Sequence, residues 1–301
     1  MIIVIHENDE WMGPFTKAFD ELKLDYQLWY LPEMSLDLTK SPPKAVYWNR
    51  MSASSHTRGH RYEPELTAGI LAWLKRHERT VVNGSAALDL EISKIRQYQE
   101  LERFGIATPR TFCALRINDL LDSANRIGFP LITKHNRAGK GLGVRKFEKE
   151  GALKAYLESR DFENSPDGIT LLQEYIWSPA QSIIRMEFVN SKFLYAVQVD
   201  TSEGFELCPA EACELESNCP TDERNKFSIL KDFSLPNLGN FEAFLSKNDI
   251  GIAGIEIIFD EQDKYWAYDV NTNTNYNPQA EILASESAPK AIANFLASLE
   301  S

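Results

Sequence analysis

Short apolar runs and longer stretches of helical spacing alternate along the first third of the chain. Residues 2–5 are continuously apolar, and residues 11–24 repeat apolar positions at helical spacing. Residues 26–31 and 45–48 are β-rich and bounded by polar or proline positions. Tyr62, Leu66, Ile70, Trp73, Leu74 and His77 share one helical face, and residues 80–82 read as a further strand. Strands taking turns with helices predict a small parallel sheet covered by helices, a first domain over residues 1–92.

The pattern then changes. Residues 93–104 predict a helix stopped by Gly105 and Pro109, and residues 119–127 predict another, closed by Gly128. Residues 130–134 form a strand that runs into Arg137-Ala-Gly-Lys-Gly-Leu-Gly-Val144, and a strand resumes at residues 144–147. With a helix at 151–159 and a strand at 170–176, residues 93–175 read as an α+β unit built on a glycine-rich hairpin. Residues 176–301 carry two hairpins, 183–189 with 193–199 and 250–259 with 265–270. A closing helix is capped by Ser287 with Pro289 in its first turn, and Ile292, Phe295, Leu296 and Leu299 share its buried face. Residues 201–237, polar with cysteines and prolines, are expected to form a substrate loop.

Composition narrows the partners. The 301 residues hold 32 Lys plus Arg against 44 Asp plus Glu, a net charge of −12, which argues against a nucleic-acid binder. No stretch approaches the roughly 18 apolar residues of a membrane helix, and the opening MIIVIHENDEW lacks the basic leader of a signal peptide. Membrane partners are therefore not expected. Four cysteines, Cys113, Cys208, Cys213 and Cys219, are few for this length and fit a reduced, cytoplasmic compartment. The last three, at C-x4-C-x5-C, match no common zinc spacing and read as free thiols.

Three groups of residues suggest chemistry. Lys134 ends an apolar strand and is followed by Gly139, Lys140, Gly141 and Gly143. Glycines let backbone N–H groups approach a polyphosphate while the lysine supplies a compact charge. No Lys-Ser or Lys-Thr closes the loop as in a Walker A motif, and a tight turn with a solvated Lys140 is the alternative. Glu256 interrupts an apolar strand, and Asp269 and Asn271 project together from the next. Three converging oxygen donors suit Mg²⁺, whereas an exposed carboxylate face leaves a carboxylate inside an apolar run unexplained. Arg185, charged within an apolar strand, either holds phosphate or carboxylate in a cleft or pairs with Glu187 or Glu256. The loop bearing Arg50, His56, Arg58, His60 and Arg61 suits an anionic substrate or is merely solvated, and its histidines lack metal-ligand spacing.

Taken in order, these pieces resemble the ATP-grasp superfamily and, within it, RimK-like amino-acid ligases. Asn83-Gly-Ser, Ser93-Lys94, residues 101–105 and Ile106-Ala-Thr-Pro109-Arg-Thr are similar to the family's lysine-bearing helix and the turn after it. Pro130-Leu-Ile-Thr-Lys134 with the glycine loop resembles its second lysine and phosphate cover. Leu172-Gln173-Glu174-Tyr175-Ile176 resembles its adenine hinge, and Gly254-Ile-Glu256 with Tyr268-Asp269-Val-Asn271 its metal-binding strands. The resemblance implies an ATP-grasp fold of class α/β (α+β), with an N-terminal parallel domain, a central lid and a C-terminal antiparallel subdomain.

It also implies site roles. ATP phosphates would meet Lys94, Lys134 and the 139–143 loop, and adenine would lie against Gln173, Glu174, Tyr175 and Ile176, read by the backbone of Glu174 and Ile176. Glu256, Asp269 and Asn271 would hold Mg²⁺, or Mn²⁺ in its place, while Arg185 and Lys134 serve catalysis. Arg50, Arg58, Arg61 and Asn273 are the candidate substrate contacts. The implied reaction joins an amino acid or peptide carboxylate to an amine through an acyl phosphate, releasing ADP. Phosphoryl transfer to a hydroxyl and nucleotide binding without turnover are the rival readings. The sequence departs from the family pattern at Asp269, where glutamate is usual, and in lacking an acidic ribose contact over residues 177–184. The segment after Val199 also lacks the RimK-like arginine and asparagine that would favour glutamate as substrate. Oligomeric state stays open, a homo-oligomer included.

Overall fold

The protein is described here by a computed structural model covering residues 1–139, 141–202, 226–284 and 286–300. The N-terminal sheet consists of β1 (Ile2–His6), β2 (Tyr26–Tyr30), β3 (Val46–Arg50) and β4 (Thr80–Val82). The strands are parallel, in the order β2-β1-β3-β4. Residues 2–5 of β1 can be continuously apolar because the strand is buried on both faces. Ile2 and Val4 pack with α1 (Gly13–Glu21), while Ile3 and Ile5 pack with Ile70, Leu71 and Leu74 of α2 (Glu63–Arg76). The predicted helix over residues 11–24 is shorter, because Asp9–Met12 forms a 3₁₀ turn and Pro14 sets the start of α1. The chain leaves β1 toward one edge and β3 toward the other. This reversal opens a crevice at the carboxyl ends of those two strands.

A second sheet is antiparallel, in the order β5-β8-β6-β7, from β5 (Thr111–Ala114), β6 (Leu131–His135), β7 (Arg145–Phe147) and β8 (Thr170–Glu174). Leu131, Phe147 and Leu172 pack beneath α5 (Ile117–Ile127) and α6 (Glu150–Leu157). Residues alternating with these, such as Ile132, Lys134 and Gln173, line the opposite face.

The two C-terminal hairpins form one antiparallel sheet, because β9 (Ser182–Val189) pairs with β12 (Ile252–Phe259). Its order is β11-β10-β9-β12-β13, with β10 (Lys192–Asp200), β11 (Phe227–Leu230) and β13 (Tyr265–Asn271). Asn190 and Ser191 both adopt positive φ at the first hairpin, the conformation a tight turn between twisted strands requires. Met186, Phe188, Ala253, Ile255 and Ile257 form the apolar face, packed with α4 (Lys94–Arg103) and α7 (Leu238–Lys247). α3 (Ser85–Glu91) precedes α4, and after α8 (Pro278–Leu283) the predicted closing helix is α9 (Ala288–Ser298). Ile292 and Leu296 of α9 lie in the same cluster as Ile2, Val4 and Ile252.

Asn83 fastens the first and third sheets together. Its amide donates to the carbonyls of Ile252 and Thr272 at 2.8 and 2.9 Å and accepts from the N–H groups of Gly251 and Ile252. Of the expected substrate loop, residues 203–225 lie outside the described residues, and with them Cys208, Cys213 and Cys219. Cys113 is an exposed free thiol. Among the described residues, no helix is long and apolar enough to cross a membrane.

Candidate active site

A cleft of about 260 Å³ lies between the second and third sheets and ends against the crevice of the first. Its floor is two rows of side chains fixed by strand register. Arg185, Glu256 and Asp269 are cross-strand neighbours on β9, β12 and β13, and Glu187, Gly254 and Asn271 form the adjacent row. Side chains two residues apart share a face, so a charged row stands on the reverse of an apolar sheet. Gly254 makes this row possible. A Cβ there would sit 2.8 Å from Nη2 of Arg185 and 3.0 Å from Oε2 of Glu187.

Arg185 is buried and bonded from all three of its guanidinium nitrogens. Nε donates to Glu187 at 2.6 Å, Nη1 to Glu256 at 3.1 Å and Nη2 to the Thr274 hydroxyl at 2.5 Å. That hydroxyl in turn donates to Glu187 at 2.9 Å. The two alternatives for Arg185 therefore coincide: it faces the cleft and pairs with both glutamates. Burial would pull the guanidinium down, but Glu187 and Glu256 outweigh it and hold its pKa above the ordinary arginine value. Burial pushes the Glu256 carboxyl up, against Arg185 and with the help of Asp269.

Both predicted lysines reach this floor. Lys94 begins α4, and its N–H bonds to the Asn136 carbonyl at 3.1 Å, tying the helix to the second sheet. Its ammonium donates to Asp269 at 2.5 Å. Lys134, on β6, donates to the Tyr268 carbonyl at 3.0 Å and the Tyr98 hydroxyl at 3.2 Å, 4.9 Å from the centre of the Tyr268 ring. Burial pulls Lys134 down in pKa, opposed by Asp269 and Glu256. For Asp269 burial pushes upward, yet Lys94 and Lys134 prevail and hold it below the usual carboxylate range.

Gly139 and Gly141 line the cleft, whereas Gly143 does not. Gly143 serves packing: its φ is +71°, and a Cβ would fall 2.3 Å from the His135 ring. Lys140 lies outside the described residues. Gln173, Glu174, Tyr175 and Ile176 form one wall. Their side chains hold the hinge itself, Glu174 accepting from the Arg110 N–H at 2.7 Å and Gln173 donating to Thr111 at 2.8 Å. Asn273 and Asn275 line the far end with Trp11, Ser52 and Ser54.

The arginines of the 50–61 loop are placed otherwise than expected of substrate contacts, and none lines the cleft. Arg50 is buried over Phe15 and Trp48 and donates to the Thr274 carbonyl at 3.0 Å and Asn275 Oδ1 at 2.9 Å. Burial pulls its pKa down from the arginine range. Arg58 is gripped by Glu7 at 2.6 and 3.1 Å, and Arg61 donates to the Pro166 carbonyl. Each guanidinium finds an acceptor far away in sequence, and Arg50 makes an interior joint.

Glu91 escaped sequence reasoning, although a glutamate inside Leu-Asp-Leu-Glu-Ile carried the same signal as Glu256. It lines the cleft and accepts from the N–H groups of Ala53 (3.0 Å) and Thr272 (2.7 Å), bracing the loop after β3 against the end of β13. Burial pushes its carboxyl up, resisted by those N–H groups. Gln97 was likewise missed. It bonds both the N–H and the carbonyl of Val270, between Asp269 and Asn271.

Among the described residues, no three His, Cys, Asp or Glu are grouped to hold a metal. Glu256 and Asp269 supply two carboxylates, with the Asn271 amide 3.5 Å from Glu256. Hard oxygen donors of this kind, short of a full shell, fit an ion that completes its coordination with substrate phosphates and water.

No protein-family model matches the chain. It is 26% identical over 197 residues to a D-alanine–D-alanine ligase of Dechloromonas aromatica (strain RCB), covering 63% of this chain and 60% of that protein. It is 28% identical over 173 residues to a probable alpha-L-glutamate ligase of Shewanella loihica (strain ATCC BAA-1088 / PV-4), 56% of each chain. The match thus spans little over half the length of these curated relatives. A RimK domain ATP-grasp protein from Sphaerobacter thermophilus DSM 20745 superposes with a TM-score of 0.67 at 16% identity, covering 99% of this chain and 100% of that one. The ATP-grasp ligase PsnB, solved with a minimal precursor, Mg and ADP, gives 0.68 at 13% identity, covering 100% and 97%. The sheet topology and these likenesses together show that the chain has the fold of these ATP-grasp structures.

Proposed function

We propose that this protein is an ADP-forming carboxylate–amine ligase that uses ATP with Mg²⁺, or Mn²⁺, to form an amide bond on an amino acid or peptide. The observation that carries the reading is convergence: Lys94 from α4, Lys134 from β6 and Asp269 from β13 meet in one cleft, beside Glu256 and Arg185. Two ammonium groups set beside two carboxylates in one cleft suit a triphosphate and its counter-ion. The relatives in sequence are named ligases, and PsnB was solved with Mg and ADP.

On this reading Gln173, Glu174, Tyr175 and Ile176 hold the base, and Gly139 and Gly141 let the backbone approach the phosphates. Lys94 and Lys134 neutralise phosphate oxygens, and Arg185, held in place by Glu187 and Glu256, faces the group in transfer. A divalent ion held by Glu256, Asp269 and Asn271 would supply further positive charge against the phosphates. A carboxylate oxygen of the substrate bonds to the γ-phosphorus, the P–O bond to ADP breaks, and an acyl phosphate forms. The amine nitrogen then attacks the acyl carbon, inorganic phosphate leaves, and the amine loses a proton. The protein works in the cytoplasm on this reading.

The test is release of ADP and phosphate from purified protein given ATP, Mg²⁺ and a panel of amino acids and peptides. Release that requires both an acid and an amine supports the ligase. ADP with a stable phosphorylated hydroxyl product would replace it with a phosphotransferase, and nucleotide binding without turnover would replace it with a regulatory module.

A further inference from the structure

A chain of hydrogen bonds runs from the interior of the first domain to the cleft. It begins at Glu7, buried just after β1, whose carboxylate takes Nε and Nη2 of Arg58 at 3.1 and 2.6 Å. The His60 ring lies 3.0 Å from the same carboxylate. A two-point grip fixes the guanidinium plane and so fixes where its remaining edge faces. Along that edge Nη1 and Nη2 both donate to the Ser54 hydroxyl, each at 3.3 Å. The Ser54 and Ser52 hydroxyls are 2.9 Å apart, and the Ser54 N–H donates to the Ser52 hydroxyl at 3.1 Å. Both serines are buried and both line the cleft. Between them the Ala53 N–H is held by Glu91 at 3.0 Å, which pins the backbone that carries the pair.

Counting donors and acceptors places the protons. A serine hydroxyl has one hydrogen to give and two lone pairs to receive. The Ser54 oxygen receives both Arg58 donors, so its own hydrogen goes to Ser52. The Ser52 oxygen receives that hydrogen and the Ser54 N–H, which fills its lone pairs. The Ser52 hydrogen is then left over, bonded to no acceptor among the described residues. A hydroxyl locked in this way presents a donor to whatever enters the cleft, which suits an oxygen and opposes an ammonium. The pair also stands beside the loop assigned to the phosphates: a Cβ on Gly139 would lie 3.6 Å from the Ser54 Cβ.

We infer that Ser52 is a substrate-binding residue of this cleft: its hydroxyl donates to a carboxylate or carbonyl oxygen of the acid substrate, and Glu7, Arg58 and Ser54 hold it in that orientation. The inference rests on the ligase reading for the role of the cleft, and it is tested by binding without turnover. With the ATP analogue AMPPNP and Mg²⁺ bound, the wild-type protein is titrated calorimetrically with alanine, phenylalanine, glutamate, Ala-Ala-Ala, Ala-Phe-Ala and Ala-Glu-Ala. The tightest of these acids is then titrated into the variants. Ser52→Ala is expected to weaken it about tenfold, as for one hydrogen bond to a charged oxygen. Ser52→Thr keeps a hydroxyl and is expected to restore most of that affinity. Ser54→Ala breaks the chain behind Ser52 and is expected to weaken the acid about threefold. Added to Ser52→Ala, it is expected to cost nothing more, a coupling that separate structural roles would not produce. AMPPNP affinity is expected to stay within twofold in every variant. Unchanged acid affinity in Ser52→Ala, additive losses in the double variant, or binding by none of these acids overturns the inference. A loss confined to AMPPNP overturns it as well and gives the donor to a phosphate oxygen. Failure of the wild-type protein to bind AMPPNP is instead the failure of the nucleotide reading.

Discussion

Two groups of basic side chains in this molecule are paired in opposite ways. Lys94, Lys134 and Arg185 line an open cleft and meet the carboxylates Asp269 and Glu256 there. Arg50, Arg58 and Arg61 do not themselves line it and donate to carbonyls, an amide oxygen, the Ser54 hydroxyl and Glu7. The first group is bounded by a space a ligand can enter, and the second by the protein's own backbone. A cation inside a fold is thus a functional candidate only where its partners leave room for another.

Breaking each group should give different losses. Arg185→Met leaves Glu187 and Glu256 buried without their shared cation and should cost about 3–5 kcal/mol of stability, read by denaturant unfolding, and abolish ADP release in whatever remains folded. Arg50→Met keeps apolar contact with Phe15 and Trp48 but loses the guanidinium over both rings and orphans the Thr274 carbonyl and Asn275. It should cost about 1–3 kcal/mol and leave ATP affinity within twofold. An equal loss of ATP affinity in both variants would erase the distinction between the groups.

The pH dependence sharpens it further. Burial lowers the folded-state pKa of Lys134 below 10.5, so the folded protein sheds that proton before the unfolded chain does. The charged form therefore destabilises the fold, and this penalty is relieved as pH rises through the lowered value and is gone above 10.5. ATP affinity should run the other way, falling on the alkaline side before pH 10.5 as the ammonium is lost. Titration of nucleotide affinity against pH would show it, and Lys134→Arg should move the limb upward. Arg61→Ala, an exposed residue bonded to one carbonyl, should change stability by no more than about 0.5 kcal/mol.

Much of the scaffold was legible because the signals were local. Ser93 before α4, Gly128 with φ of +88° after α5, and the positive-φ pair Asn190-Ser191 between β9 and β10 each mark a boundary within a few residues of itself. Glu256 was legible because a carboxylate in an apolar strand needs a partner, and the hairpin places Asp269 directly across from it. β5, a four-residue strand, and helices α3 and α7 were not singled out, since their stability comes from packing on elements distant in sequence. The arginine loop misled for the same reason. Arg50 finds Thr274 and Asn275 more than two hundred positions away, and Arg58 finds Glu7 across the sheet edge.

The central claim is that two ammonium groups and the Asp269 side of the cleft hold a triphosphate. Calorimetric titration of AMPPNP and Mg²⁺ into the wild-type protein and into Lys94→Met and Lys134→Met tests it most directly. The account predicts binding at a single site, weakened on the order of a hundredfold by either substitution, as expected for a desolvated charge-to-phosphate contact. Wild-type affinity retained in both variants, with both still folded, would contradict it.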